Sequence, residues 1–260
     1  MKKLSVTIIT LNEEKDIKRC LDSVLPFADE IVVVDSLSTD RTKEICSTYA
    51  NLRFVQQKWL GYSEQKNYAN NIAAHDWIFS IDADEEVSTE LQQSILQWKN
   101  IESKNNECFS MDRLTNYCGK WIKRCGWYPD TKIRIWNRKV GRWTGAIHEV
   151  IHFTHSMTTT KLCGDLLHYS FSSREGYRKQ MFHFAEIGGK AYFEKGKKHA
   201  TLHCIVSPIA TFIRQYIVKL GFLEGSAGLE ICLTAAKATH HKYYTLRTLN
   251  NQKKIEATTA

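Results

Sequence analysis

The sequence predicts an α/β fold in which a mostly parallel central sheet is flanked by helices, with a helical appendage at the C-terminus. Short β-branched, apolar runs such as residues 4–10 and 30–36 alternate with segments of helical periodicity, and strands joined by helices pair in parallel. Polar residues follow several of these runs directly, as expected where parallel strands end at one edge of a sheet. Residues 173–200 and 226–246 read as helices and form the predicted appendage.

The first hundred residues contain the predicted strands and helices in strict alternation. The strands are rich in β-branched or aromatic side chains and lie at residues 4–10, 30–36, 52–57 and 76–82. The helices have apolar side chains at helical spacing or capping residues before them, and lie at 14–27, after the turn 36–40, at 63–75 and at 89–99.

The composition is that of an ordinary globular protein and excludes several classes of site. The chain has 260 residues, of which 43% are hydrophobic and 25% charged, enough for one large domain or a domain with an appendage. Its eight cysteines form no CxxC pair, which favours buried thiols in a reducing compartment over disulfides or a zinc site. Neither GxGxxG nor GxxxxGK[ST] occurs, so a dinucleotide Rossmann site and a P-loop NTPase lack their phosphate cradle.

The positive charge is concentrated in the last third of the chain. Residues 1–173 contain 22 Lys and Arg against 22 Asp and Glu, whereas residues 174–260 contain 14 against 6, which accounts for the whole net charge of +8. This asymmetry predicts an anionic partner for the C-terminal third. No run of about 18 apolar residues occurs, so we expect no helix that spans a bilayer.

Carboxylates follow the fourth predicted strand in the segment "FSIDADEEV", residues 79–87. One interpretation is a solvated turn before a helix, because acidic residues favour a helix N-terminus; we assign Glu85 and Glu86 to this role. The other is a divalent cation site, because Asp82 and Asp84 alternate and hard cations bridge carboxylates to substrate phosphates. Polar residues at 10–13 and 35–36 end neighbouring strands, and this convergence favours the cation site.

Several segments together resemble the family 2 glycosyltransferases of the GT-A fold. They are "SVTIITLNEEKDIKRCLDSV", "EIVVVDSLSTDRT", "QKNYANNIAAHDWIFSIDADEEV", "GWYPDTKIRIWNR" and "GRWTGAIHEV", in the order of the family and across most of residues 4–170. The chain is most similar to the enzymes that add a β-linked glucose to an inner-core heptose of lipopolysaccharide. This resemblance implies a GT-A-type nucleotide-sugar-binding fold and a UDP-sugar donor, most simply UDP-glucose.

The resemblance also implies roles at the donor site. Thr10, Asn12 and Glu13 would line the nucleotide end of the site. Asp35 would accept a hydrogen bond from the uracil ring, although it can equally cap the helix that follows. Lys66 would lie near the diphosphate or, alternatively, on a solvated helix face.

The same resemblance assigns the metal site. Asp82 would contact the ribose or sugar, and Asp84 would ligate Mg²⁺ or Mn²⁺. His168, within the strand-like segment "DLLHYSF", is the candidate for a further metal ligand. The simpler interpretation of His168 is a core or surface histidine with no ligand.

Family 2 enzymes invert the anomeric carbon, which requires a general base at the acceptor hydroxyl. Glu149 is the candidate base and the adjacent His148 would position the acceptor or the diphosphate, since neighbouring residues of an extended segment point to opposite faces. A salt bridge from Glu149 to a nearby arginine is the alternative. For the acceptor we select Trp127, Arg124 and Lys123, which belong to a basic, aromatic-rich segment at 119–142.

These assignments divide the chain into a catalytic domain at 1–172, a basic helical region at 173–250 and a tail at 251–260 that we expect to be disordered. Within the catalytic domain, residues 1–100 would bind the nucleotide sugar and residues 101–172 the acceptor. The acceptor would be a lipid-linked phosphorylated oligosaccharide, at the cytoplasmic face of the inner membrane of a Gram-negative bacterium. The C-terminal helices would bind anionic lipid there, as basic amphipathic helices do, or alternatively pack on the catalytic domain. Nucleic acid is not an expected partner. The alternative functions are a glycosyltransferase with another UDP-sugar and another surface-polysaccharide acceptor, a nucleotidyltransferase, or a non-enzymatic binder of anionic glycans.

Overall fold

The structure is a computed structural model that describes residues 1–102, 106–145, 149–198 and 200–259. The chain forms two compact units. The first comprises Met1–Leu114 and Asp130–Tyr169, and the second comprises Thr115–Pro129 and Ser170–Ala260.

The first unit contains a central sheet and four helices. Its strands are β1 (Leu4–Thr10), β2 (Glu30–Asp35), β3 (Leu52–Gln56), β4 (Trp77–Asp82), β5 (Glu85–Val87), most of β6 (Glu107–Tyr117), β8 (Asp130–Asn137), β9 (Gly141–Thr144), β10 (Val150–Phe153) and most of β11 (Thr158–Phe171). Its helices are α1 (Ile17–Val24), α2 (Thr42–Ser47), α3 (Tyr62–Ile72) and α4 (Thr89–Lys99). The short strand β7 (Lys120–Ile122), which pairs with the end of β6, belongs to the second unit.

The predicted α/β fold class is confirmed, but the sheet is mixed. Over the described residues its order is β3-β2-β1-β4-β8-β6-β11-β5, and β1–β4 pair in parallel. The strands β8 and β6 pair antiparallel, as do β4 with β8 and β11 with β5. Of these pairs, β6 and β8 are joined without a helical crossover, and such a connection favours antiparallel pairing.

Both faces of β1, β2 and β4 are buried, as their apolar runs predict, whereas the edge strand β3 is partly exposed. One face packs against α1, α2 and α4 through side chains such as Ile17, Cys46 and Leu91. The other face packs against α3 through Ala69 and against the β9–β10 ribbon through Trp143. This ribbon is a separate, two-stranded antiparallel sheet. The carboxyl ends of β1, β2 and β4 therefore meet at one edge of the sheet, between these two layers.

Glu85 and Glu86 do not begin a helix, which corrects the sequence interpretation. They lie in β5, where Glu85 is directly opposite His168 of β11. Helix α4 begins only at Thr89, and the Oγ of its N-cap Ser88 accepts a hydrogen bond from the Leu91 amide. The short strand forms because β11 offers a free edge to pair with, an interaction between segments some 80 residues apart that local propensity does not encode.

The second unit is largely helical. It contains α5 (Arg174–Glu194), α6 (Ala200–Phe212), a π-helical turn (Ile213–Val218), a short 3₁₀ segment (Gly221–Glu224) and α7 (Gly225–Thr259). Helix α7 includes residues 251–259, for which the sequence predicts a disordered tail. The core of this unit is formed by Tyr117, Ile122, Cys125, Tyr177, Ile231 and Cys232. None of the described helices has the length and apolar composition needed to cross a bilayer.

All eight cysteines are free thiols, six of them buried. The expectation of buried thiols is therefore confirmed for six positions, and Cys118 and Cys163 are exposed. Over the described residues, no cluster of three or more His, Cys, Asp or Glu side chains forms a ready metal cage.

We predict that Gly164→Ala destabilises the first unit by about 3 kcal/mol, because an added Cβ would lie 2.3 Å from the Leu91 amide nitrogen of α4. Gly61→Ala is the matched control, since Gly61 has nearly the same φ, +92° against +93°, but no atom near its Cβ position. The control should lose only the cost of its glycine-favouring backbone (φ 92°, ψ 156°), about 1–2 kcal/mol. Urea unfolding measures both, and equal losses would refute the packing role of Gly164.

Candidate active site

The loops after β1 and β2 are interlocked by side-chain hydrogen bonds. The Asn12 Oδ1 accepts from the Thr39 amide at 2.8 Å, and the Asn12 amide donates to Ser38 Oγ at 2.8 Å. The Glu13 amide donates to Thr42 Oγ1 at 2.9 Å. Asn12 has a left-handed backbone with φ of 56°, a conformation that asparagine adopts more readily than most residues. These bonds fix the two loops that would face the nucleotide.

The strand-end residues Thr10 and Asp35 are both buried and lie opposite each other in the β1–β2 register. Asp35 accepts hydrogen bonds from the amide and hydroxyl of Ser38 and from Gln56 Nε2 at 3.3 Å. The carboxylate thus has partners within the protein, but they lie in the turn at Ser38 and in β3, and it does not cap α2, whose N-cap is Arg41. The Thr10 hydroxyl is buried without a hydrogen-bond partner in the described part of the chain, an uncommon state for a polar group.

At the end of β4 the Asp82 carboxylate lies between two cations. The Lys66 Nζ of α3 is 2.8 Å from Oδ1, and the Arg134 Nη2 of β8 donates to Oδ2 at 3.0 Å. Burial alone would raise the pKa of Asp82, but Lys66 and Arg134 outweigh it and hold this pKa well below its usual range. Asp82 is therefore ionised, and its charge is neutralised by the protein.

Arg134 is itself held by Glu85. The guanidinium is 4% exposed and donates to the fully buried Glu85 carboxylate at 2.6 Å, while Arg113 lies 3.6 Å from the same oxygen. Glu85 also accepts from the Asp82 amide at 3.0 Å. Burial raises the pKa of Glu85, and Arg134 opposes that shift. Lys66, Asp82, Arg134 and Glu85 form one network, which we call the β4 clasp.

The structure brings Asp84 and His168 together. Asp84 Oδ2 lies 3.1 Å from His168 Nε2, and the Asp84 carbonyl accepts from the Tyr169 amide at 2.9 Å. The other ring nitrogen of His168, Nδ1, is buried and has no hydrogen-bond partner among the described residues. Unlike Asp82, Asp84 has no cationic lysine or arginine within ion-pair distance over the described residues.

These two side chains fit a divalent cation. Mg²⁺ and Mn²⁺ that arrive with a diphosphate need only one or two protein ligands, and the carboxylate is a preferred type of donor. Carboxylates also crowd this edge of the sheet: burial and then Asp84, Asp16, Asp40 and Asp82 raise the pKa of Glu13 to about 7. Bound positive charge would relieve that repulsion. Asp84 and His168 are therefore the residues that would hold the metal.

The β9–β10 ribbon is attached to α3 beside Lys66. Asn67 of α3 makes hydrogen bonds with both the amide and the carbonyl of Trp143 at 2.9 Å, and the Lys66 ammonium lies 4.9 Å from the Trp143 ring. The candidate base Glu149 directly precedes β10 and is half-buried, and it forms no ion pair with any described arginine. His148 lies outside the described residues.

The acceptor candidates Lys123, Arg124 and Trp127 belong to the second unit. The Lys123 and Arg124 amides donate to Glu224 at 3.0 and 3.1 Å, which fixes their turn and leaves both side chains exposed. Trp127 packs into an aromatic cluster with Tyr117, Phe171 and Tyr177. Its ring is therefore half-buried in a core rather than fully presented to a sugar.

Sequence reasoning missed Arg134 and Glu85 as members of the site. A signal was available for Arg134, because "IRIW" places a cation between apolar residues, and a buried cation needs a carboxylate partner. Glu85 gave no such signal, because its burial depends on the pairing of β5 with β11.

Comparison with known proteins now identifies the family: residues 5–182 match the model for glycosyl transferase family 2, and the chain belongs to that family. An uncharacterized glycosyltransferase of Rickettsia typhi is 30% identical over 96% of this chain and 88% of its own. The lipopolysaccharide core biosynthesis glycosyltransferase LpsC of Rhizobium meliloti is 28% identical over 90% of this chain and 91% of its own. The solved structure of S. aureus TarS 1-349 in complex with UDP is 16% identical over 96% of this chain and 92% of its own, with a TM-score of 0.45.

We predict strong non-additivity within the β4 clasp. Arg134→Met alone should cost about 3–5 kcal/mol of unfolding free energy, because it leaves the buried Glu85 without its nearest cation. Adding Glu85→Met removes that uncompensated charge, so the double variant should be more stable than Arg134→Met. Lys139→Met, which breaks an exposed pair with Asp76, is the control and should change stability by less than about 1 kcal/mol. Additive losses in urea unfolding would exclude a coupled network.

Proposed function

We propose that this family 2 glycosyltransferase transfers a sugar, most simply glucose from UDP-glucose, to a heptose of the lipopolysaccharide inner core with inversion. The observation that carries the proposal is the pairing of Asp84 with His168 beside an Asp82 that is already neutralised. That arrangement provides one pair of ligands for a metal and a separate, fixed carboxylate for the ribose or sugar hydroxyls. The core biosynthesis relative LpsC supports the acceptor class.

The residues divide the work of binding the donor. The interlocked loops that carry Asn12 and Glu13 would surround the nucleoside, with Thr10 and Asp35 at the base of the site. Lys66 would contribute positive charge near the diphosphate while it holds Asp82. A bound Mg²⁺ or Mn²⁺ would neutralise the negative charge of the departing diphosphate.

Glu149 is the proposed general base. It would accept the proton of the acceptor hydroxyl as that oxygen bonds to the anomeric carbon, and the bond from that carbon to the diphosphate breaks on the opposite side. The absence of an ion pair to any described arginine supports an available carboxylate. His148, Lys123, Arg124 and Trp127 remain the candidates for contacts with the acceptor.

Calorimetric titration of UDP with Mn²⁺ tests the donor site. Asp84→Asn should weaken metal-dependent UDP binding at least about tenfold, because it removes the charged ligand while the shape is kept. Asp76→Asn is the control: this exposed aspartate immediately precedes β4, at the opposite end of the strand, and should leave UDP binding unchanged. Tight UDP binding that persists with a chelator would overturn the metal assignment and leave Lys66 and nearby arginines to bind the diphosphate. A panel of UDP-sugars in the same assay then identifies the donor.

Glu149→Gln should lower kcat at least about 100-fold while the Kd for the UDP-sugar changes less than about twofold, because a general base acts in the chemical step. Glu64→Gln, which removes an exposed charge paired with Arg142 of β9, is the control for the ribbon and should retain kcat. Equal losses of kcat and donor affinity in Glu149→Gln would indicate a binding role instead.

A further inference from the structure

A row of exposed aliphatic side chains follows α6 and the π-helical turn of the second unit. We call it the apolar ridge, and its members are 45–68% exposed: Leu202, Ile205, Val206, Ile209, Ile213, Ile217 and Val218. The 3₁₀ segment that follows adds Phe222 and Leu223, which are also exposed. Single exposed aliphatic residues are normal on protein surfaces, but a concentration of this kind marks an interaction site.

The ridge lies on one side of α6. At 100° per residue, Leu202, Ile205, Val206 and Ile209 fall within an arc of about 100°. Cys204, on the opposite side, is buried, and Thr211 Oγ1 lies 3.4 Å from Thr239 Oγ1 of α7. The helix is therefore packed on α7 through one side, while the outward side, which is ordinarily polar, is aliphatic.

The segment that carries the ridge has charges of one sign. Residues 195–223 contain no Asp or Glu, and they carry Lys195, Lys197, Lys198, Arg214 and Lys219, all of which are exposed. An exposed aliphatic face bordered by cations is complementary to a membrane surface with anionic headgroups over an acyl interior. A second copy of this chain fits less well, because it would bring the same cations together.

We infer that the apolar ridge inserts into the headgroup region of an anionic lipid surface, with α6 parallel to the plane of the membrane. Insertion to that depth, about 5–10 Å for such helices, buries the aliphatic side chains and leaves the lysines and arginine at the phosphates. This inference extends the proposed function by naming the surface that would bring the enzyme to a lipid-linked acceptor, and it rests on that function only for the identity of the acceptor.

Vesicle flotation of the full chain tests the inference. The vesicles contain phosphatidylglycerol with phosphatidylcholine, or phosphatidylcholine alone, and no glycolipid acceptor, so binding reports on lipid rather than on substrate. We expect binding to the anionic vesicles, and a loss of roughly tenfold or more in partitioning for the double variant Ile205→Asp/Ile209→Asp. Ile101→Asp, an equally exposed isoleucine of the first unit, is the matched control and should bind as the wild type does.

Each other result overturns the inference. If the double variant binds anionic vesicles as the wild type does, the ridge does not insert. If in addition Lys195→Gln/Lys197→Gln/Lys198→Gln abolishes binding, the attachment is charge attraction without insertion. If the wild-type chain does not bind the vesicles, the inference is wrong, and the ridge would contact a second copy where the chain elutes as a dimer in size-exclusion chromatography, or another partner where it elutes as a monomer.

Ile213→Asp/Ile217→Asp is a second ridge variant, to be used if the first variant loses its helical circular dichroism signal. UDP titration of every variant separates this inference from the proposed function, because the donor site lies in the first unit.

Discussion

The ion pairs of Asp82 with Lys66 and Arg134 are the constraint on which the carboxyl edge of the parallel strands depends. They join α3 and β4, which follow each other in sequence, to the distant strand β8, at the point where the parallel half of the sheet meets the antiparallel half. Glu85 completes the arrangement by neutralising Arg134. A buried guanidinium with one carboxylate partner and an unpaired Nε would be costly, and the second carboxylate explains how it is accommodated.

This network also gives the two aspartates of "DAD" different electrostatic surroundings. Asp82 is matched by two cations before any ligand binds, so an added metal ion would have to compete with both of them. Among the described residues Asp84 forms an ion pair only with His168, and the nearby Glu13 has a pKa raised to about 7 by burial and by the surrounding carboxylates. Although the two aspartates are two residues apart in sequence, Asp82 is neutralised by two cations, whereas Asp84 has no described Lys or Arg within ion-pair distance.

The sequence predicts the elements of the parallel half well, because each is specified by its own residues. The β-branched run at 4–10 forms β1 as predicted, and Ser88 caps α4 as its type favours. Local patterns do not encode the pairing of strands that are distant in sequence. Strand β5 forms because β11 lies beside it. Glu85 therefore looks like a solvated charge in the sequence, but it is a buried counter-ion of Arg134 in the structure. Arg134 shows the intermediate case, since its apolar flanks reveal burial but not its partners.

The same distinction applies to the C-terminal third, where composition alone gives only a basic and aromatic region. In the structure, the helices of this region differ in which of their apolar residues are buried. Tyr177 of α5 and Ile231 of α7 are buried in the core of the second unit, whereas α6 contributes Cys204 to the interior and keeps its aliphatic row outside. Had the hydrophobic residues of α6 served only to stabilise this unit, they would lie on the side that meets α7. Their position on the other side means that the free energy of burying them is still available for binding.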